Sequence, residues 1–352
     1  NLFIRRCGGG GYPMKNTTIT FTRPNVAELV PGEVRQPVGN EVLVKLAVST
    51  ISSGTERANL TGDANVGLGS SAAAQFPRVS GYSSAGVVVA VGDAVKEIKH
   101  GDRVALSWST HSAYCLAWEG NVHKIISDSI PFSEAALFHI STFPMAAIRK
   151  CRLELGESAL VMGQGVLGLI ADLLLRAAGA VPVIAVDPVA EKREKALASG
   201  ADYALDPFES GFAEKVHSLT DGGVNVAIEV TGNGGGLNGA LDCMKRFGRV
   251  ALLGCTRNSD FTVDYYKKVH GPGISLIGAH TLARPGSESS PGMWTTHDDV
   301  MAVQRLIAGG RLSLSGLIDE VHSPEEAPEI YTRLASEKSF PLVQFDWSRI
   351  NA

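Results

Sequence analysis

The run Ser158-Ala-Leu-Val-Met-Gly163-Gln-Gly165-Val-Leu-Gly168-Leu-Ile-Ala171, with Val183-Ile-Ala-Val-Asp187 after it, decides the fold. Apolar residues lead into Gly-x-Gly-x-x-Gly, which passes into an Ala/Leu-rich helix. That arrangement lets bare backbone approach a pyrophosphate where unpaired N–H groups and the helix dipole favour an anion. The second apolar run ends in Asp187, nineteen positions beyond Gly168. This is the spacing of a carboxylate that accepts hydrogen bonds from an adenosine ribose. Gly163, Gly165, Val166, Leu167, Gly168 and Asp187 are therefore candidate dinucleotide-binding residues.

From about Arg152, strands and helices alternate, so a parallel sheet covered on both faces is expected. Six strands fit: Ala159–Met162, Pro182–Val186, Tyr203–Leu205, Val224–Val230, Arg249–Leu253 and Ile274–Ile277. They make a Rossmann-type doubly wound sheet over 152–280, with its ligand across the carboxyl ends of the strands. Before it, Thr17-Thr-Ile-Thr-Phe-Thr, Glu41-Val-Leu-Val-Lys-Leu-Ala-Val, Gly86-Val-Val-Val-Ala-Val and Asp102-Arg-Val-Ala-Leu read as antiparallel strands between glycine turns. A helix is expected over Glu134 to Lys150. After His280 come a helix (Asp298–Ala308), a strand near Leu317–Val321, a helix from Pro324 and a strand Pro341–Phe345. These are too few to form a domain alone. They are expected to return to the first half, giving a discontinuous β-rich domain over 14–151 and 281–352, with residues 1–13 an upstream extension.

A chain of 352 residues is long enough for two domains. A net charge of −4 with dispersed basic residues lacks the footprint of nucleic-acid binding, which leaves a small molecule as the expected partner. No apolar run reaches the roughly 18–20 residues that span a bilayer. The five scattered cysteines form no C-x-x-C pair and fit a reducing compartment, and the first residues lack the core of a secretory signal. A cytoplasmic protein is expected.

Further motifs give the family. Gly81-Tyr-Ser-Ser-Ala-Gly86, Val91-Gly-Asp-Ala-Val, Gly101-Asp-Arg-Val104, Leu155-Gly-Glu-Ser-Ala-Leu-Val, Ser199-Gly-Ala-Asp202 and Glu229-Val-Thr-Gly232, together with the glycine fingerprint, resemble the medium-chain dehydrogenase/reductase superfamily over residues 14–350. The resemblance implies a GroES-like catalytic domain beside the Rossmann domain, a nicotinamide cofactor and a homodimer joined along the last strands of the nucleotide domain. It also marks departures. Where zinc-dependent members carry their ligands, this chain has Ser53-Gly-Thr-Glu56, Gly81-Tyr82-Ser83 and, on the connecting helix, His139. The lobe of four cysteines after Gly-Asp-Arg-Val is replaced by Ser107-Trp-Ser-Thr-His-Ser112. Zinc takes thiolate, imidazole or carboxylate, so no metal is expected. The Ser-Gly-Thr-Glu-Arg form is similar to a branch that includes bacteriochlorophyllide-type hydroxyethyl dehydrogenases.

Without a Lewis acid, a side chain must handle the proton when hydride leaves a carbinol carbon. His139 and Tyr82 are the candidates, although a lone histidine on an apolar helix is also a common core residue. Thr55 aligns with the family's proton-passing hydroxyl and Glu56 with a carboxylate behind the metal, here expected to pair with Arg57 or a site residue. Thr231, Gly232, Gly254 and His280 are candidates on the nicotinamide side, and His111 and Trp108 for a substrate cleft. Asp187 favours NAD, since a 2′-phosphate would meet like charge, while Lys192 and Arg193 read as a solvated face. The expected activity is interconversion of a sugar- or polyol-like secondary alcohol and a ketone with NAD and without zinc. The alternatives are a zinc-free enone or quinone reductase and a non-catalytic NAD-binding protein.

Overall fold

The computed structural model describes residues 13–63 and 75–350, so residues 1–12 of the expected extension lie outside the described residues. In the first half, β1 (Met14–Arg23) and β2 (Val26–Val34) form an antiparallel hairpin, and α1 (Ser53–Thr61) follows β3 (Glu41–Thr50). Next come β4 (Arg78–Val79), β5 (Ser83–Val91), β6 (Arg103–Ser107), β7 (Tyr114–Trp118), β8 (Val122–Lys124), α2 (Phe132–Ala135) and α3 (Phe138–Lys150).

The nucleotide half runs β9 (Ala159–Met162), α4 (Val166–Ala177), β10 (Val183–Val186), α5 (Ala190–Ser199), β11 (Tyr203–Leu205), α6 (Phe212–Leu219), β12 (Val224–Glu229), α7 (Gly234–Asp242), β13 (Met244–Leu252) and β14 (Ser275–Gly278). Its six strands are all parallel, in the order β11-β10-β9-β12-β13-β14. The order reverses beside β9, which places the glycine loop at the switch point. Every residue of β9 and β10 is buried. Alternate side chains serve two cores: Ala159 and Val161 face one, Leu160 and Met162 the other. A strand covered on both faces has no polar alternation to show.

The chain then adds α8 (Thr296–Ala308), β15 (Glu320–His322), α9 (Ala327–Ser336) and β16 (Val343–Asp346). Strand β16 pairs antiparallel with β3, so these residues extend the sheet of the first half in the order β15-β16-β3-β5-β6-β8, with β7 also on β3. Helix α8 packs against α3. No helix among the described residues is long and apolar enough to cross a membrane.

Strand β13 starts at Met244, five residues before the expected Arg249, and three further elements differ from the sequence reading for reasons visible in their side chains. The helix expected over 134–150 is broken between α2 and α3 because the Ala136 carbonyl accepts hydrogen bonds from Thr50 Oγ1 (2.9 Å) and Ser83 Oγ (2.7 Å) instead of a helical N–H. The strand near Leu317–Val321 begins only at Glu320, since Glu134 Oε1 accepts from Leu314 N–H (2.7 Å) and Ser315 N–H (3.0 Å) and holds a turn there. The last strand starts at Val343, because Leu342 N–H donates to Asp319 (2.7 Å).

Candidate active site

The glycine loop is shaped for a phosphate. Gly163 adopts φ +102° and donates its N–H to Val186 O (2.7 Å), which turns the chain at the end of β9. A Cβ on Gly168 would stand 2.0 Å from Gly163 O, so helix and strand touch there. A Cβ on Gly165 would meet nothing within 4 Å, and no side chain caps α4. The start of α4 at Val166 therefore opens on a cleft of about 410 Å³ lined by Ser53, Gly165, Val166, Lys192 and Lys338. That opening is what a pyrophosphate requires.

Asp187 stands at the same edge, 6% exposed. Its Oδ2 accepts from Gln164 N–H (2.8 Å) and its Oδ1 from Val189 N–H (2.9 Å), with Lys192 Nζ 3.9 Å away. It thus caps the loop and keeps spare lone pairs at the cleft. The solvated face read for Lys192 and Arg193 is corrected: Lys192 lines the cleft, and Arg193 donates to Asp187 O (2.8 Å).

Gln164 escaped the sequence reading, and its partner explains its place. Its amide donates to Val161 O (3.2 Å), while Oε1 and both carboxylate oxygens of the fully buried Asp172 lack a partner among the described residues. Gln164 and Asp172 lie within mutual reach, and burial holds the Asp172 pKa well above the carboxylate range. A proton on Asp172 would give Gln164 Oε1 the donor it lacks. An acid whose pKa rises on folding costs stability above its unfolded pKa, and the cost grows until the pH passes the folded value. Asp172→Asn keeps a donor without that cost. It is expected to raise the unfolding free energy by about 1–3 kcal/mol at neutral pH, with the gain vanishing as pH falls through the ordinary carboxylate range. Urea melts at several pH values check this; a less stable variant at pH 7 contradicts it.

On the opposite side of the cleft, the buried Glu229 ends β12. Its Oε1 accepts from Thr231 N–H (2.8 Å), the Thr231 hydroxyl and Gly232 N–H (3.2 Å), which shapes the loop carrying two candidate residues. Gly232 and Gly254 abut: a Cβ on Gly254 would lie 2.3 Å from Gly232 N. His280 is half-buried, and its Nδ1 accepts from Leu282 N–H (3.2 Å), so one ring nitrogen caps its loop.

The proton-handling candidates meet in an aromatic cluster. His139, near the start of α3, packs edge-on against Trp108 (4.7 Å between centroids), Phe143 (5.0 Å) and Tyr82 (5.7 Å). Tyr82 does not hydrogen-bond to it; the phenol donates to Ser52 Oγ and is also engaged by Thr55. His139 is 2% exposed, and neither ring nitrogen has a partner among the described residues. Burial, then the neighbouring His123 and Arg284, hold its pKa well below the usual value, while burial pushes that of Tyr82 up. Both are therefore uncharged at neutral pH.

Glu56 does not pair with Arg57, whose guanidinium donates to Leu334 O (2.7 Å) and Glu337 O (2.6 Å). Its buried carboxylate accepts from Ser52 N–H (2.9 Å), His111 Nε2 (3.1 Å) and the Tyr331 hydroxyl (2.5 Å). Because a carboxylate only accepts, His111 carries its proton on Nε2, and Nδ1 faces Ser49 Oγ (2.7 Å). Glu56 thus fixes the start of α1 from behind, and His111, fully buried, is core rather than cleft. Trp108, 47% exposed, does line a cavity. The sequence reading also missed His123, whose Nε2 meets Ser107 Oγ (2.9 Å) and whose Nδ1 meets His297 (3.1 Å); burial brings its pKa to about 3.

A Gly-x-Gly-x-x-Gly cleft at the switch point of a parallel sheet, facing a β-rich half that presents polar groups, defines a dinucleotide-dependent oxidoreductase. The family model for the alcohol dehydrogenase GroES-like domain matches residues 38–133, and that for zinc-binding dehydrogenases matches 166–295. The L-threonine 3-dehydrogenase of Pyrococcus horikoshii is 27% identical over 337 residues, covering 86% of this chain and 90% of its own. The D-guloside 3-dehydrogenase of Escherichia coli K12 is 23% identical, covering 91% and 96%. Among solved structures, benzyl alcohol dehydrogenase from Acinetobacter calcoaceticus superposes with a TM-score of 0.82 at 20% identity, over 95% of this chain and 99% of that one. The chain belongs to the medium-chain dehydrogenase/reductase superfamily and is an alcohol-dehydrogenase-like oxidoreductase with a nicotinamide cofactor.

Proposed function

We propose that the chain interconverts a sugar- or polyol-like secondary alcohol and a ketone with NAD and without catalytic zinc. The observation that supports this reading is His139, a buried imidazole with two unpartnered nitrogens beside Tyr82; the resemblance aligns both with positions of the family's metal ligands. The donor set does not suit zinc. Ser53 and Tyr82 offer neutral hydroxyls, and among the described residues no three of His, Cys, Asp and Glu are grouped to hold a metal ion.

When bound, the nicotinamide accepts or returns the hydride. The chain's own groups orient the alcohol and move its proton. Once the rings packed on it part to admit substrate, neutral His139 can accept a hydrogen bond from the carbinol O–H at one nitrogen. As hydride departs, that O–H becomes far more acidic, so an imidazole of depressed basicity suffices to take the proton. The phenol of Tyr82 stays protonated and donates, and Thr55 and Ser52 sit beside its oxygen as the next hydroxyls on the way out. Glu56 positions rather than reacts. The free edge of β14, where Leu276 is 41% exposed, is the surface on which we place a homodimer.

The test is NAD reduction and NADH oxidation against matched alcohols, ketones and enones, with metal content measured on the same sample. Turnover with a stoichiometric, chelator-sensitive metal would reject the zinc-free reading. Enone turnover alone would favour the reductase alternative, for which the lysines at the cleft, Lys192, Lys195 and Lys338, are the supporting observation. Cofactor choice is separable. Asp187 can take both ribose hydroxyls but repels a 2′-phosphate, so NAD(H) should bind at least about tenfold tighter than NADP(H), a difference near 1.4 kcal/mol. Asp187→Ser should narrow or invert the gap. Tighter NADP(H) binding by the parent chain would sink this assignment.

A further inference from the structure

The chain has four tryptophans, and two of them are settled within the fold. Trp347 is buried and donates to Ser49 Oγ (2.8 Å), and Trp294 carries the Arg149 guanidinium 3.5 Å from its ring centroid. The other two, Trp108 and Trp118, are 47% and 60% exposed and line one cavity of about 710 Å³. Large apolar rings left exposed in one concavity mark a binding site.

Both rings are held in place. Trp118 ends β7, and its six-membered ring lies against Gly120, where a Cβ would stand 2.0 Å from Cζ3. No other ring covers it among the described residues, so the side away from Gly120 stays open. Trp108 sits at φ +58°, a region that bulky residues avoid, and its N–H donates to Tyr82 O (2.8 Å). Strain kept at a ligand-facing side chain is a sign of function. The same ring packs on His139, so the cavity begins where the proton-handling cluster ends.

The wall suits a neutral ligand. Lys96 and Glu97 are adjacent and exposed and offset one another. Glu119 accepts from the N–H groups of Lys96 and Glu97 (both 2.9 Å), and Asp298 from the hydroxyls of Thr295 (2.9 Å) and Ser289. Arg284 donates to Thr142 O (2.8 Å), Thr296 Oγ1 (3.0 Å) and Asp299 (2.9 Å), and its one unpartnered atom, Nε, is buried. Neutral groups remain: the half-buried side chains of Asn121 and Thr281 have no hydrogen-bond partner among the described residues. Open aromatic faces beside unpaired neutral donors and acceptors match a pyranose, which turns a face of C–H bonds to an indole and hydroxyls to the rim. The volume is that of pockets enclosing drug-sized ligands, more than one six-carbon sugar fills.

We propose that this cavity is the subsite for the second ring of a neutral two-ring glycoside, stacked on Trp118, while the first ring is oxidised at His139 with Trp108 between them. The inference rests on the alcohol-oxidising reading above and narrows its substrate from polyols and single sugars to glycosides. The carbinol of the first ring gives its hydride to the nicotinamide and its proton to His139.

The experiment uses the full chain with 5-fluorotryptophan in place of tryptophan, its 19F resonances assigned through Trp108→Phe and Trp118→Phe. Saturated with NADH so that no alcohol is oxidised, it is titrated with methyl β-D-glucoside, cellobiose, maltose, lactose and benzyl alcohol. Turnover of each with NAD is measured for the parent and Trp118→Ala. Expected are a shift of the Trp118 resonance with a disaccharide but not with methyl glucoside, and a kcat/KM for that disaccharide at least about tenfold higher. That ratio should fall about tenfold in Trp118→Ala, chiefly through KM. A Trp118 resonance unmoved by every disaccharide, or moved by benzyl alcohol alone, overturns the proposal and leaves the dehydrogenase reading standing wherever an alcohol is turned over. A ratio that Trp118→Ala does not change overturns it too. A Trp118 shift by a disaccharide without turnover of any compound upholds the sugar subsite and rejects the alcohol-oxidising reading.

Discussion

His139→Ala is expected to lower turnover by about 10²-fold or more while leaving NAD affinity nearly unchanged, the size of a typical general acid–base contribution. The imidazole sits outside the glycine cleft, so its removal should not disturb the cofactor's phosphates. Truncating an edge-packed ring among Trp108, Phe143 and Tyr82 will also loosen the cluster. His139→Gln, which keeps a donor and an acceptor but cannot carry a proton through a cycle, separates packing from chemistry. Tyr82→Phe should give a smaller loss and an altered pH profile. Rapid-mixing measurement of the hydride step, with NAD binding by fluorescence, checks all three. Full activity in both His139→Ala and Tyr82→Phe would refute the assignment.

The second large effect concerns the glycine loop, where neighbouring glycines should fail in different ways. Gly168→Ala places a methyl group 2.0 Å from the Gly163 carbonyl, a backbone atom that cannot swing aside. The loop must shift or the helix must lift from the strand, at about 1–3 kcal/mol or more, with cofactor binding lost as well. Gly165→Leu meets open space, so folding should be nearly unaffected. Its side chain occupies the approach to the first turn of α4, and NAD affinity should drop about 10²-fold, near 2.7 kcal/mol. Thermal melts with and without NAD distinguish the two. A Gly165→Leu protein that binds NAD normally would mean that the pyrophosphate lies elsewhere.

Much of the nucleotide half could be read from the chain because its signals are local. Strands β9 and β10 are short apolar runs bounded by glycine and aspartate, and the spacing from Gly168 to Asp187 lies within one strand–helix–strand unit. What escaped depends on partners distant in sequence. The break before α3 is made by Thr50 and Ser83, and nothing within 134–150 announces it. Glu56 looked ready for Arg57 next door, yet the fold brings His111 and Tyr331 to it. Arg284 and Asp172 drew no reading from the sequence, where they are single polar residues of a loop and a helix. Only folding shows one left with an unused donor and the other sealed among apolar neighbours, since solvation cannot be read from residue type.

The two hydroxyls on the Ala136 carbonyl have one more implication. They decide where α3 begins, and along an α-helix each residue turns the next by about 100°. Were Thr50 or Ser83 replaced by an aliphatic residue, the carbonyl could rejoin the helical ladder, and the start of α3 could slip by a residue. A one-residue slip would turn His139 by about 100° away from its contact with Trp108. The aim of the imidazole is set like the hands of a clock, by a pin in the back plate. Lineages of this fold could change which face of a substrate they address by altering a threonine or a serine on a strand, far from anything the substrate meets.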